Sequence, residues 1–218
     1  AALAATPAGA EMLKGPLTAD AINSEEFADA FRTVATLDQQ NGSANSSVNA
    51  NDFAADFNNG LSAVFINGVW GASQFAGSDN FVSCIYPNSV AISSANTGLY
   101  VANDLSDAQK ELALEFIKYM TSEEVQSRYF LETSSNPINE NVDIQKLAQE
   151  SGDPTALKLA EACDKCNKAD TIVLAIDVCW GNDVGGALQN KFAECAVAGT
   201  DIEAKLAELQ AELTALIG

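Results

Sequence analysis

The chain has no histidine. That absence removes the usual general base at neutral pH, the Ser-His-Asp and Cys-His arrangements, and every zinc site that needs an imidazole. Basic residues are scarce too: eleven lysines and arginines stand against thirty aspartates and glutamates, a formal net charge of −19. Such a surface repels a polyphosphate backbone and an anionic bilayer, so no nucleic-acid partner is expected. Long apolar runs are also lacking; nothing reaches the roughly 20 residues that cross a bilayer, and no transmembrane segment is expected. The thirty acids are scattered, and no pair stands out as an acid–base couple. Neither catalytic residues, nor a cofactor, nor a metal site is expected.

Five cysteines occur, at 84, 163, 166, 179 and 195, so at least one is unpaired within the chain. Cys163-Asp-Lys-Cys166 has C-x-x-C spacing but follows a helical pattern and precedes a β-like run. A thioredoxin-like site has the reverse order. Structural or incidental cysteines are expected, with a disulfide involving one of this pair, or a redox or metal module on Cys163 and Cys166, as alternatives.

Apolar residues make up 47% of the 218, enough for one large or two small cores. The only two tryptophans each follow an apolar run. In SAVFINGVW, 62–70, a predicted strand stops at Asn67-Gly68 and presents Trp70; TIVLAIDVC, 171–179, leads to Trp180. Further strands are predicted over 81–86, 90–92 and 99–101, the last two around an Asn96-Thr97-Gly98 turn. Helices alternate with them. One is capped by Asn23 with Glu26 at N3 and runs to about Gln40; a polar loop over 41–51 precedes a short helix that Gly60 ends. Ser106 with Gln109 caps a helix whose Leu112, Ala113, Phe116, Ile117 and Met120 form an apolar stripe, and Thr121 with Glu124 starts the next. Asp153-Pro154 opens a helix towards Cys166, 183–198 reads as helical up to Gly199, and Thr200 with Glu203 caps the last. Its stripe is Ile202, Leu206, Leu209, Leu213 and Leu216, too short for a coiled coil.

Phe57-Asn58-Asn59-Gly60-Leu61-Ser62-Ala63-Val64-Phe65-Ile66-Asn67-Gly68-Val69-Trp70 resembles the F-x-x-G-x-x-A-x-x-x-N-G-x-W signature of extracellular solute-binding proteins of ABC importers, family 1, the maltose and oligosaccharide type. The resemblance continues through Ala113, Phe116, Lys118, Thr121-Ser122, Glu123 and Gln126, then Asn136-Pro137, Trp180 and the closing glycine and helix. It implies an α/β chain forming the second lobe, and part of the first, of a two-lobe periplasmic-binding-protein-like fold. Residues 1–87 and 136–218 would belong to the second lobe and 88–135 would return to the first, most of which is absent. AALAATPAG at 1–9 lacks the basic start and apolar core of a signal peptide, so a fragment or a processed product is expected. By resemblance the protein is extracellular or periplasmic, lipid-anchored through an N-terminal region absent here.

The resemblance places Trp70 and Trp180 at sugar-stacking positions, which suits flat rings that pack on sugar C–H patches. Asn67, Asn96, Thr97, Asn182 and Asp183 lie beside the turns as hydroxyl partners or as ordinary turn residues. The implied activity is non-enzymatic. A carbohydrate, as an oligosaccharide, binds in an interlobe cleft, and hinge closure presents the protein to an ABC permease at the membrane. Without the first lobe, this chain alone would bind sugar weakly or not at all, and the Phe116 and Ile117 stripe would lie exposed. A non-catalytic structural or interaction fragment is the remaining alternative.

Overall fold

The protein is represented by a computed structural model that describes residues 1–41, 50–74, 81–94 and 98–218. Among these residues the chain forms α1 (Pro7–Met12), α2 (Ala19–Ile22), α3 (Glu25–Asn41) and α4 (Ala50–Asn58), then strand β1 (Val90–Ser93). There follow α5 (Asp107–Met120), α6 (Glu123–Thr133), α7 (Ile144–Ser151) and α8 (Pro154–Asn167). Strand β2 (Thr171–Leu174), α9 (Ile176–Cys179), α10 (Asn182–Cys195) and α11 (Ile202–Ile217) complete it. Two compact units result. Unit one is 1–48, 85–96 and 169–218; unit two is 49–84 and 97–168. They are units of contact, and the lobe division expected above cuts the chain elsewhere.

Unit one is built on the apolar stripes of three long helices. Phe27, Phe31 and Ala35 of α3, Val184, Ala187, Leu188 and Cys195 of α10, and Leu206, Leu209 and Leu213 of α11 share one core, at helical spacing that turns each set to one side. Buried salt-bridge chemistry is not what joins them; their exposed rims do carry ion pairs. Arg32 reaches Glu25, Asp29 and, across to α11, Glu203, while Lys191 and Lys205 bind Glu194 and Glu208. A second cluster gathers Leu3, Ala4 and Leu13 around Val90 and Val173. These valines belong to the two-stranded parallel sheet, in which Val90 pairs with Thr171 and Ser93 with Leu174. Parallel strands need a long crossover, and here the whole of 97–168 lies between them.

Unit two has a smaller, alanine-rich core: Ala72, Ala148, Ala156, Leu159, Ala160 and Cys163 around Phe130. Gln126 is its buried polar side chain, and both ends are satisfied. Its Oε1 accepts from the Ile138 N–H at 2.9 Å and its Nε2 donates to the Met120 carbonyl at 2.8 Å, which ties the loop after α6 to the α5–α6 corner. Gly60 ends α4 with φ +73°, and the Leu61 N–H returns to the Asp56 carbonyl at 2.8 Å. That left-handed position is where a glycine stops a helix without a Cβ penalty.

Three predicted strands are not strands. Segments 62–68 and 81–85 carry no ladder, Leu99–Val101 is likewise irregular, and Val69–Gln74 is a 3-10 turn. The physical reason is the missing partner backbone: Val64, Ile66 and Val82 stand exposed, and alternation alone cannot supply the hydrogen bonds of a sheet. Around 81–84 lysines take that place. Lys158 Nζ donates to the Phe81 carbonyl at 3.0 Å and stands 5.2 Å from its ring centroid, and Lys165 Nζ donates to the Ser83 carbonyl. The run before Trp180 is half strand, half helix, since β2 gives way to α9. The stripe of α5 is bare: none of its residues is buried, with Leu112 at 72% exposure and Phe116 at 55%.

Candidate functional site

Trp70 is the second residue of the 3-10 turn, which Val69 and Ala72 anchor in the core of unit two. Its indole is 56% exposed and lies over Gly68, where any Cβ would collide with the six-membered ring. A side chain there would push the indole off its present place, so the glycine lets the ring lie close against the turn. Asn67 braces the same turn. Its Oδ1 accepts from the Gly68 N–H at 2.8 Å and its Nδ2 donates to Gln74 Oε1 at 3.3 Å. The result is an exposed aromatic face beside a fixed amide, the kind of surface on which a sugar's C–H patch can pack.

Trp180 is held differently. It closes α9, its backbone N–H donating to the Ile176 carbonyl at 2.8 Å, and its Nε1 donates to the Gly15 carbonyl at 3.2 Å. The ring packs against both clusters of unit one and is half-buried. Gly181 follows with φ +92° and lets the chain turn into α10. Asn182 and Asp183 then occupy the exposed first turn of that helix.

Asn182 lines an open groove of about 880 Å³ in unit one. Gln189 and Asn190 share its wall, at a spacing that sets them on one face of α10, and the Gly185-Gly186 pair between them keeps that face low. Asp177 of α9, Asp38 of α3 and Phe192 line it too, beside the aliphatic Ile176, Leu188 and Ala193. Phe192 is fixed by stacking on Phe31, with centroids 5.1 Å apart and planes at 21°. Partial burial pushes the Asp38 carboxyl above the usual carboxylate range. Sequence reasoning found Asn182 but missed Asp38, Asp177, Gln189, Asn190 and Phe192. The available signal was the one-face spacing of Asn182, Gly185, Gly186, Gln189 and Asn190.

The structure thus places Trp70 and Asn67 together in unit two, and Trp180, Asn182 and Asp183 in unit one, where Asn182 alone of the three lines the groove. Asn96 and Thr97 lie outside the described residues. The groove offers amide donors and acceptors, carboxylate acceptors and apolar side chains, Phe192 among them. That is equipment for holding a polar ligand, with no nucleophile–base pair in it.

The C-x-x-C pair is set against thiolate chemistry. Cys163 is buried, and burial pushes its thiol up to about 12; Cys166, Cys179 and Cys195 are also raised by burial. Reactive or metal-binding cysteines need the opposite shift. All five cysteines are free, and no group of three or more metal-binding side chains occurs among the described residues.

Residues 2–155 match the family model of the bacterial extracellular solute-binding proteins. The chain is also similar to a solved structure, a Streptococcus pneumoniae solute-binding protein in complex with the blood group A-trisaccharide, at 38% identity and a TM-score of 0.90. The match covers 98% of this chain and 55% of that one, so this chain spans about half the length of that relative. No curated protein matches it.

Proposed function

Because this chain belongs to the bacterial extracellular solute-binding proteins, a family of binding proteins rather than enzymes, we propose that it serves an ABC importer by binding an oligosaccharide. The observation that carries the reading is Trp70: a 56% exposed indole on a turn anchored in the core, beside a braced asparagine. Its exposure leaves the ring open to the C–H face of a sugar. The trisaccharide in the similar structure supports the same ligand class. The polar groove along α10 adds hydroxyl partners, with Asn182 among them.

In this reading the ligand sits in the interlobe cleft of the two-lobed protein, and contact with both lobes favours the closed form that a membrane permease receives. The assignment of 1–87 and 136–218 to the second lobe and 88–135 to the first belongs to the same proposal. The bare stripe of α5, within 88–135, supports it, since such a face calls for apolar cover. Placement outside the cytoplasm follows from the family, and no helix among the described residues is long and apolar enough to cross a membrane. A lipid anchor would hold the protein at its permease.

Tryptophan fluorescence of the two-lobed protein, titrated with neutral oligosaccharides including the blood group A-trisaccharide, tests the reading. A saturable shift that Trp70→Ala removes is expected. A titration that is flat with every sugar, with a Trp70 that acrylamide cannot quench, would sink it.

A further inference from the structure

We infer that the groove along α10 selects uncharged oligosaccharides and excludes those bearing a carboxylate. This rests on the carbohydrate reading above and adds a specificity to it. Two of the groove's polar side chains are carboxylates, Asp38 and Asp177, and the others, Asn182, Gln189 and Asn190, are neutral amides. No lysine or arginine lines it. Unit one has only four basic residues, and each is engaged elsewhere: Lys14 by Glu11, Arg32 by Glu25, Asp29 and Glu203, and Lys191 and Lys205 by Glu194 and Glu208.

A neutral sugar fits this wall. Its hydroxyls donate to the two carboxylates and exchange bonds in both directions with the amides, while Phe192 meets C–H groups. A sugar carboxylate has no proton to donate and meets two like charges with no cation to offset them. Asp38 sharpens the effect, because it is already partly shielded from the water that would screen a second negative charge.

Isothermal titration of the two-lobed protein with two probes at low ionic strength tests this. One is the neutral blood group A-trisaccharide; the other is the same trisaccharide with one primary hydroxymethyl group oxidised to the carboxylate. The oxidised probe is expected to bind about tenfold more weakly, or worse, as like charges a few ångströms apart require. The gap should narrow when salt is raised, and again in Asp38→Asn/Asp177→Asn. If that pair does not fold, Asp177→Asn alone, at an exposed position, should give the same narrowing in smaller measure. Equal or tighter binding of the oxidised probe overturns the inference while leaving the carbohydrate reading intact. A gap that survives charge removal in a folded variant also overturns it. Failure of both probes to bind overturns the carbohydrate reading and this inference with it.

Discussion

Helices α5 and α11 are similar objects with different fates. Both are three to five turns long, both carry apolar residues at helical spacing, and both are well capped at the N-terminus. Yet α11 buries Leu206, Leu209 and Leu213 at 4%, 0% and 0% exposure, whereas α5 buries nothing and leaves Leu112 at 72%. Periodicity therefore reports that a helix has an apolar face; it does not report that the partner for that face is within reach. For α11 the partners are α3 and α10 in its own unit. For α5 the main contact among the described residues is the corner with α6.

The largest expected effect follows directly. Leu209→Ala empties a fully enclosed site and should cost about 2–5 kcal/mol in chemical denaturation, as buried leucine truncations do. Leu112→Ala, the corresponding change on α5, should stay within about 0.5 kcal/mol. A large loss at Leu112 would show that the α5 face is covered in solution, by a second copy or by further chain, and would break the contrast.

The same distinction between pattern and partner explains what could be read in advance. The helices over 107–120, 123–133, 154–167, 182–195 and 202–217 were legible because capping residues and 3.6-residue spacing are local properties. Even so, three caps fall one residue later than a capping-box reading puts them. Ser24, Ser122 and Asp201 accept the first-turn N–H groups. Asn23, Thr121 and Thr200 instead close what comes before, bonding the carbonyls of Ala19, Ile117 and Glu194. Where two polar residues adjoin, one ends an element and the next begins another, and spacing to an acid does not tell them apart. The strands over 62–68 and 81–86 failed for the non-local reason already given. In the candidate site Trp70 was legible as a ring after a glycine turn. The groove was not, because Asp38 and Asp177 join Asn182 only through the packing of α3 and α9 beside α10.

A smaller effect sharpens the comparison at the tryptophans, again one ring with partners and one without. Trp180→Ala should cost about 2 kcal/mol, less than a fully buried aromatic because the ring is half-exposed, and Trp180→Phe about 1 kcal/mol for the lost bond to Gly15. Trp70→Ala should leave stability within about 0.5 kcal/mol. Acrylamide quenching of the two single-tryptophan variants checks the exposures independently, with Trp70 the more accessible. Equal quenching and equal destabilisation would mean that Trp70 is a packing residue, and its role as a sugar platform would fall with that.

The smallest effect concerns charge, and it too separates the two helices. On α11, hydrogen bonds from Lys205 and Lys191 hold Glu208 below its ordinary value of 4.5, and Arg32 does the same for Glu203; Lys205 and Lys191 lower Glu194 of α10. On α5 the Lys118–Glu115 pair, at 2.6 Å, stands in open solvent and joins no second helix. A carboxylate whose folded-state pKa is depressed adds stability that is present above 4.5 and lost as the pH falls through the depressed value. Asp38 has the opposite sign: burial raises it, so its ionisation opposes folding, and its protonation on the way down stabilises slightly. Melting curves of the wild type alone would mix these terms with the relief of a net charge of −19. The difference between wild type and Glu208→Gln isolates the network. That difference should be positive at neutral pH, shrink with added salt because Glu208 is exposed, and fall away in acid as the pH drops below 4.5 and through the depressed value. Glu115→Gln should leave stability at neutral pH within about 0.5 kcal/mol, as an exposed pair within one helix does. A loss at Glu115 equal to that at Glu208 would mean that α5 has a charged partner too, and its face would have to be counted as covered.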